Sequence, residues 1–504
     1  MLFTQMGKEN PMKLRKVLAG LLAGAMLLGS LSTGVMAYEN PALDTSEEVE
    51  LVMYVVSDRP AGQDVVDEHL NEILKEKLNC TLKLYWISWA EYANKYPLLF
   101  SSGESFDIAY AATWLNYFSL AQRGAFKALN DLWPTYAPEN YARQSEGALQ
   151  QAKVGEDYYC VPTLLATYNA YGPIYRTDVL EGTDWDGKME TFEDIETYCD
   201  YIKEYAPQMD PIDMYSAGPE FLYIYMQGKG YTWVSKSYPF LWFDPTEEHP
   251  HVFTTYEEEG IKGFLETMAR FNEKGFFSKS ALSDTDSAKP QNGKAALRVH
   301  NIDTYAGWAA THPEWGWKFS NFVADVAHLP FTQDCMVIPN TSKNPERAMA
   351  LIELLTNDQE VYDALMYGVE GVTYTLNEKG EFAITDSDLY AEGSLWAART
   401  NEFRRNQFGT PDDYNETRAA FEASIVPGQG AEKFAGFTLD TTPVETQLST
   451  LVNVKQQYWW PLELAYTDVE SGLSQYQTMC EIAGIEDVRV ECERQLEEYL
   501  AGLE

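Results

Sequence analysis

"DCMVIPNTSKNPERAMALIELLTNDQEVYDALMYGVEGVTYTLN", residues 334–377, decides the architecture of this 504-residue chain. Its apolar run Cys335–Ile338 stops at Pro339 and reads as a short buried strand. Pro345 then stands at a first helical position, where its missing N–H costs nothing, with Asn344 placed to cap. Ala348, Leu351, Ile352 and Leu355 form one apolar stripe at helical spacing. A second helix is predicted from a cap at Thr356 or Asn357, paired with Gln359 or Glu360. Val361 and Leu365 continue inward, and Gly368 and Gly371 end it. A hairpin over 372–384 comes next, with Asn377-Glu378-Lys379-Gly380 as its turn and Gly380 in the left-handed position. A core strand and two helices this late, after what already reads as a complete unit, predict that the chain returns to its first unit.

That first unit alternates strand and helix. Val49–Val56 is a β-rich run, and residues 64–79 form an amphipathic helix with Val65, Val66, Leu70, Ile73, Leu74 and Leu78 inward. Thr81–Ile87 is the next strand, Ser88 is placed to cap a helix over 89–100, and Phe106–Ala111 is a third strand before a helix over 115–123. Such alternation predicts a parallel sheet covered by helices on both faces. Open sheets of this kind hold ligands at the carboxyl ends of their strands. The loops 57–62, 88–89 and 111–114 therefore converge, and they offer Asp58, Arg59, Trp89 and Trp114.

At Cys160-Val161-Pro162 the chain crosses into a second unit. A helix capped by Thr191 with Asp194 carries Ile195, Tyr198, Ile202 and Tyr205. A tract rich in Trp and Tyr runs to Asp244, a helix covers 257–272, and 293–308 reads as strand, loop and helix. The remainder to Glu504 is mostly helical. The expected division is a linker over 38–48, a first lobe from 49–160 plus 333–370, and a second from 161–332 plus 371–504. Two lobes joined by more than one crossing strand form a hinge, and a hinge makes a cleft.

Residues 1–37 read as a secretory leader, with a basic start (Met12 to Lys16), an apolar stretch (Val17 to Leu31) and Val35-Met36-Ala37 before the cleavage point. Gly20, Gly24, Gly29, Ser30 and Ser32 dilute the apolar stretch too heavily for a membrane span. The mature protein is thus expected outside the cytoplasm, without a lipid-anchoring cysteine near its start. A formal net charge of −40 repels nucleic acid and anionic lipid and disfavours polyanionic ligands. The chain carries 13 Trp and 33 Tyr, more than a core requires. Its six cysteines include no C-x-x-C pair and are expected as buried free thiols. No metal or cofactor is expected: His249-Pro250-His251 lies in a solvated loop, and Asp284-x-Asp286 lacks the Gly and Glu of a calcium loop. No phosphate loop, G-x-G-x-x-G or G-x-S-x-G is present.

Several stretches carry a family resemblance: "SSGESFDIAYAATWLNYFSLAQRGAFKALNDLWPTYAP" (101–138), "MVIPNTSKNPERAMALIELLTND" (336–358), "YGVEGVTYTLNEKGEF" (367–382), and the end region from "FTLDTTPVETQLSTLVNVKQQY" (437–458) to "ECERQLEEYLA" (491–501). Together they resemble the extracellular solute-binding proteins of bacterial ABC importers, in the sugar-binding family 1 group with an extended C-terminal domain. The resemblance implies an α/β, two-lobed periplasmic-binding-protein-like fold of type II, with hinge strands and a helical C-terminal extension. It also implies a monomer that closes on a solute and docks on membrane permease subunits.

A neutral sugar offers an apolar ring face and a rim of hydroxyls, so a site needs flat aromatic platforms and in-plane polar groups. The candidate platforms are Trp114 and Trp89 from the first lobe, with Trp308, Trp242 and the Trp459–Trp460 pair from the second. Arg59, Asp58, Asp107, Asn301 and Asp303 are the candidate rim groups. A secreted glycoside hydrolase would also want aromatics, plus two carboxylates flanking the scissile bond. The later elements do not repeat as eight β/α units. An oligopeptide-binding protein is the other alternative, with a cleft that relies on backbone pairing more than on stacked Trp.

Overall fold

The computed structural model describes residues 38–88, 91–216, 218–235, 238, 240–286, 288–385 and 396–503. The predicted leader, 1–37, and Trp89 lie outside these residues. The first sheet has five strands in the spatial order Cys80–Ile87, Val49–Val56, Ile108–Ala111, Cys335–Val337 and Val161–Pro162. Val49–Val56 and Cys80–Ile87 pair in parallel over their whole length, from Val49 opposite Cys80 to Val56 opposite Ile87. Ile108–Ala111 joins on the other side, also parallel. The returning strand is where its sequence put it: Cys335 lies opposite Ala111 and Val337 opposite Ala109. It runs antiparallel, so the sheet is mixed rather than purely parallel. Val161–Pro162 then pairs with it, and the outgoing and returning chains lie side by side.

The helix Pro345–Asn357 departs from the predicted single stripe, since every residue from Arg347 to Thr356 is buried. It packs against the helices Gln63–Leu78 and Gln359–Met366 and the short helices Leu132–Tyr136 and Pro138–Arg143. Hydrogen bonds to its buried charged groups offset much of the cost of burial on all sides, although Arg347 Nε finds no protein partner. Arg347 donates to the carbonyls of Leu78 (2.7 Å) and Asn79 (2.9 Å). Glu353 accepts from the N–H groups of Glu139 and Asn140, both at 2.9 Å. Neither predicted side-chain cap forms. Asn344 makes no side-chain cap, and the following helix, Gln359–Met366, is capped by Asp358. Asp358 also anchors the buried Lys77 ammonium at 2.7 Å.

Lobe 2 has a four-stranded sheet in the order Lys318–Phe319, Tyr171–Tyr175, Ala295–Asn301 and Asp210–Ile212. The Thr191–Asp194 capping box opens the helix Phe192–Tyr205 as expected. Beside the sheet, Thr232–Trp233, Leu241–Phe243 and Phe253–Thr254 form a small antiparallel ribbon with Leu241–Phe243 in the middle. The lobe's core is closed from far along the chain by the helices Glu445–Val454, Val469–Ile482 and Ile485–Ala501. Among the described residues, no helix is long and apolar enough to cross a membrane.

The predicted lobe boundary at residue 371 is corrected. The hairpin Tyr374–Leu376/Phe382–Ile384 forms with Gly380 at φ +77, as expected. Yet Tyr374, Phe382, Ala397 and Ala398 belong to the core of lobe 1. Tyr367, at the end of the second late helix, packs its ring 4.5 Å from Phe382, so the hairpin is held where that helix ends. The chain rejoins lobe 2 with the helix Asp412–Ser424, whose Tyr414 and Phe421 cluster with Trp308 and Tyr305.

Candidate ligand-binding site

The third strand of lobe 1 ends at Ala111, and the chain makes one tight turn over Thr113–Leu115. Asn116 then takes a left-handed conformation (φ 59, ψ 34), which Asn tolerates better than most residues, before the helix Tyr117–Gln122 begins. This sharp exit brings Thr113, Asn116, Phe118 and Ser119 to one wall of a cleft of about 440 Å³. The position is the carboxyl end of a parallel strand, as the alternating pattern of lobe 1 predicts.

The opposite wall comes from lobe 2: Thr232, Trp233, Val234 and Ser235 from the ribbon edge, with Tyr238 and Phe243. The floor is the hinge. Tyr168 and His328 form an antiparallel bridge between the outgoing and returning crossings. Asn169 pins them further, its Oδ1 accepting from Ala327 N at 3.0 Å and its Nδ2 donating to the Asp325 carbonyl at 3.1 Å. The segment from Ala431 to Thr441 supplies the remaining side, including Phe434 and Phe437.

The described wall is uncharged apart from one group. Among the described lining residues there is no Asp, Glu, Lys or Arg, and the Tyr238 phenol is neutral, its pKa raised further by burial. The exception is His328. Its Nδ1 lies 2.9 Å from Glu432 and its Nε2 3.1 Å from Glu422. Burial pulls its pKa down, but the two carboxylates outweigh that and raise it overall.

Most of the predicted site residues are engaged elsewhere. Trp242 is fully buried, with its Nε1 donating to Thr255 Oγ1 at 3.0 Å. Trp459 is buried too and donates to Glu463 at 2.7 Å. Trp308 packs into the third core cluster, 5.2 Å from Trp317. Trp460 lies against Gly218, where a Cβ would come within 2.3 Å of the indole. Asp107 is buried and accepts from Val52 N (3.1 Å) and Ser342 Oγ (2.8 Å), so it ties the first strand to the segment that leads into the late helices. Asn301 caps the helix Ile302–Thr311. Asp303 accepts from Tyr414 (2.6 Å) and Arg418 (3.1 Å), which fastens that helix to Asp412–Ser424. Asp58 is exposed, and Arg59 pairs with Asp64 at 2.6 Å; neither lines the cleft. Trp114 sits in the turn between the lining residues Thr113 and Asn116, and its side chain lies outside what is described.

The tryptophan among the described lining residues is Trp233, half-buried, with Tyr223 edge-on at 5.8 Å. Strand position explains why it was missed. Trp233 and Trp242 face each other across the ribbon, but Trp242 is in the middle strand, with Phe253 directly opposite on its other side, whereas Trp233 is on an edge. The tract rich in Trp and Tyr was visible in sequence; which strand would be central was not.

The sequence profile of bacterial extracellular solute-binding proteins matches residues 60–362, more than half of the chain. Residues 433–501 match a domain of unknown function. A carbohydrate ABC transporter substrate-binding protein of Streptococcus pneumoniae is 25% identical, with 95% of this chain and 96% of that protein aligned. Among solved structures, the N-glycan transport solute binding protein NgtS of Streptococcus pneumoniae, in complex with Man1GlcNAc, superposes with a TM-score of 0.73 at 22% identity, covering 90% of this chain and 100% of that one. The S. pneumoniae ABC-transporter substrate binding protein FusA, in complex with kestose, gives 0.63 at 13% identity, covering 90% and 100%. Both share the fold.

Proposed function

This chain belongs to the bacterial extracellular solute-binding proteins, and from that premise we propose that it grips a neutral oligosaccharide between its lobes and delivers it, unaltered, to the permease of an ABC importer. The observation that carries this reading is the chemistry of the cleft wall: aromatic faces, hydroxyls and amides, with no Asp, Glu, Lys or Arg among the described lining residues. Aromatic faces suit sugar rings, and hydroxyls and amides suit their rims. A uronate or sialylated glycan would enter a net-negative protein whose described wall has no Lys or Arg to receive it and whose His328 is already held by Glu422 and Glu432. A glycosidase would need two carboxylates at the bond to be cut. The cleft's volume, about 440 Å³, is in the range of small-ligand sites and suits a few sugar rings. The names of the relatives, a carbohydrate transporter component and glycan-bound binding proteins, support the same ligand class.

In this reading residues 1–37 are cleaved on export and the mature chain works as a monomer outside the membrane. Closure follows from the ligand touching both lobes at once, which biases the hinge toward the closed state. The test is titration of tryptophan fluorescence with panels of neutral oligosaccharides, anionic oligosaccharides and peptides, with chromatography of the ligand afterwards. Saturable binding of a neutral oligosaccharide, recovered at its original length, is the expected result. Preference for an anionic glycan or a peptide, or recovery of shortened products, would overturn it.

A further inference from the structure

The C-terminal stretch 433–501 matches a domain to which no function is attached. Most of it covers lobe 2: Leu448, Leu451, Val454, Leu462, Val488 and Leu496 are all buried there. Its opening segment does something different. Phe434, Phe437, Thr438, Leu439 and Thr441 line the cleft. Phe434, Phe437 and Leu439 are anchored in the lobe 2 core, with Phe437 packed 5.7 Å from Tyr499, so this wall is rigid. Between the anchors, the Thr438 hydroxyl is buried and has no protein hydrogen-bond partner. An orphaned hydroxyl in a cleft wall is a standing cost that a ligand hydroxyl would remove.

The same segment then touches lobe 1 along the rim. Gln122 Nε2 donates to Asp440 at 3.0 Å, and Thr442 Oγ1 donates back to Gln122 Oε1 at 2.8 Å. Arg123 pairs with Glu445 at 3.3 Å, and the Gln151 amide donates to the Ala435 carbonyl. Arg123 and Glu445 are more than half exposed, the kind of contact that contributes little to stability and exchanges readily with water. A contact that must break and reform on each binding cycle needs that weakness.

We propose that residues 434–445 give the C-terminal domain its function: they form a specificity wall of the binding cleft, with Thr438 and Thr441 reading ligand hydroxyls, and clasp lobe 1 at the rim. The inference rests on the oligosaccharide reading above. The experiment compares the full mature chain with Thr438→Val, Thr441→Val and the rim double variant Gln122→Ala/Arg123→Ala. Each is titrated with the neutral oligosaccharide panel, and its thermal midpoint is recorded. Thr438→Val is expected to weaken the best ligand by about 3- to 10-fold, the fold-change of one neutral hydrogen bond. Its midpoint should stay level or rise, because the free protein makes no internal hydrogen bond there. A purely structural threonine would instead lower the midpoint. The rim variant should speed ligand release about 3-fold without moving the midpoint. If the wild type binds a neutral oligosaccharide and both threonine variants match its affinity across the panel, the inference falls alone. If the wild type binds none, the functional reading falls and takes the inference with it.

Discussion

Lobe 1 and lobe 2 are each a sheet under helices, but they complete their cores by opposite routes. Lobe 1 rests on a fully registered eight-residue parallel pair, and much of its interior is aliphatic: Leu51, Val55, Leu74, Leu82, Leu351 and Leu355. Lobe 2 has shorter strands and sets more rings among its aliphatic side chains than lobe 1 does, among them Phe221, Trp242, Phe264, Phe271 and Trp459. Its last layer is borrowed from helices that begin only at Glu445. The difference teaches what the tryptophans are for. A small sheet without long aliphatic strands fills its volume with large flat side chains. Aromatic richness in lobe 2 is therefore first a packing solution and only at the ribbon edge a surface for ligand.

The sharpest way to break the comparison is to end the chain at Ser424. Lobe 2 then loses Leu448, Leu451, Val454, Trp459, Leu462, Val488 and Leu496, all buried. Each such side chain contributes roughly 1.5–3 kcal/mol by burial, so the total, about 10–20 kcal/mol, matches or exceeds the ~5–15 kcal/mol stability of an ordinary domain. Lobe 2 is expected to lose cooperative structure while lobe 1 survives as a protease-resistant fragment. Limited proteolysis with mass spectrometry reads this directly, and equal digestion of both lobes would contradict the division. A smaller effect tests the other side: Leu351→Ala, fully buried in a helix surrounded on all sides, should cost lobe 1 about 3–5 kcal/mol in urea unfolding.

Legibility follows the same contrast. The first strands, the return at Cys335–Val337 and the hairpin at Gly380 could be read because each pairs apolar periodicity with a local stop signal. The end of lobe 1 could not, because Tyr374 and Phe382 pack by tertiary contact with Tyr367 and carry no marker of which lobe they join. The cleft's position was readable from strand direction, and the Thr113–Asn116 turn lies there. Its side chains were not. Asp107, Asn301 and Asp303 are polar residues near strand ends or helix starts, where capping and structural ties compete with ligand binding; Asn301 goes to its own helix cap, and Asp107 and Asp303 go to partners distant in sequence. The segment 431–441 offered no periodic pattern to place it at the cleft.

A third prediction sharpens the role of the borrowed helices. Glu463 is buried and accepts from Leu222 N (3.0 Å) and Trp459 Nε1 (2.7 Å), joining the C-terminal region to the lobe 2 helix Phe221–Gly228. Burial pushes its pKa up to about 7, against the pull of those donors and of Lys455. Between pH ~4.5 and ~7 the folded protein therefore holds a proton that the unfolded chain has lost, so stability falls as pH rises through that window. The slope for one proton is about 1.4 kcal/mol per pH unit, or roughly 3 kcal/mol across it. Glu463→Gln should flatten that part of the curve, seen as the difference between variant and wild type in urea unfolding at pH 4.5 and 7. Parallel curves would remove the buried carboxyl from the account.

The smallest effect lies where the lobes meet. His328 stands in the hinge between two carboxylates, with the Tyr168 ring stacked on it at 5.5 Å and Phe331 at 5.7 Å. Arg418 lies 5.0 Å from the Tyr168 ring and is the cation on that side. With both ring nitrogens facing carboxylates, the charged imidazolium is the form that satisfies them, and its pKa is raised above 6.5 despite burial. The stabilisation is therefore complete below pH ~6.5 and is lost as pH rises through the folded-state value. Glu422 is more than half exposed, so its share is small and Glu432 supplies most of the effect. His328→Asn should cost on the order of 1 kcal/mol at pH 5.5 and clearly less at pH 9, read by urea unfolding at both. Because the same ring borders the cleft, the variant should also flatten the pH dependence of ligand affinity. An equal loss of stability at both pH values would mean that His328 holds the hinge by packing alone.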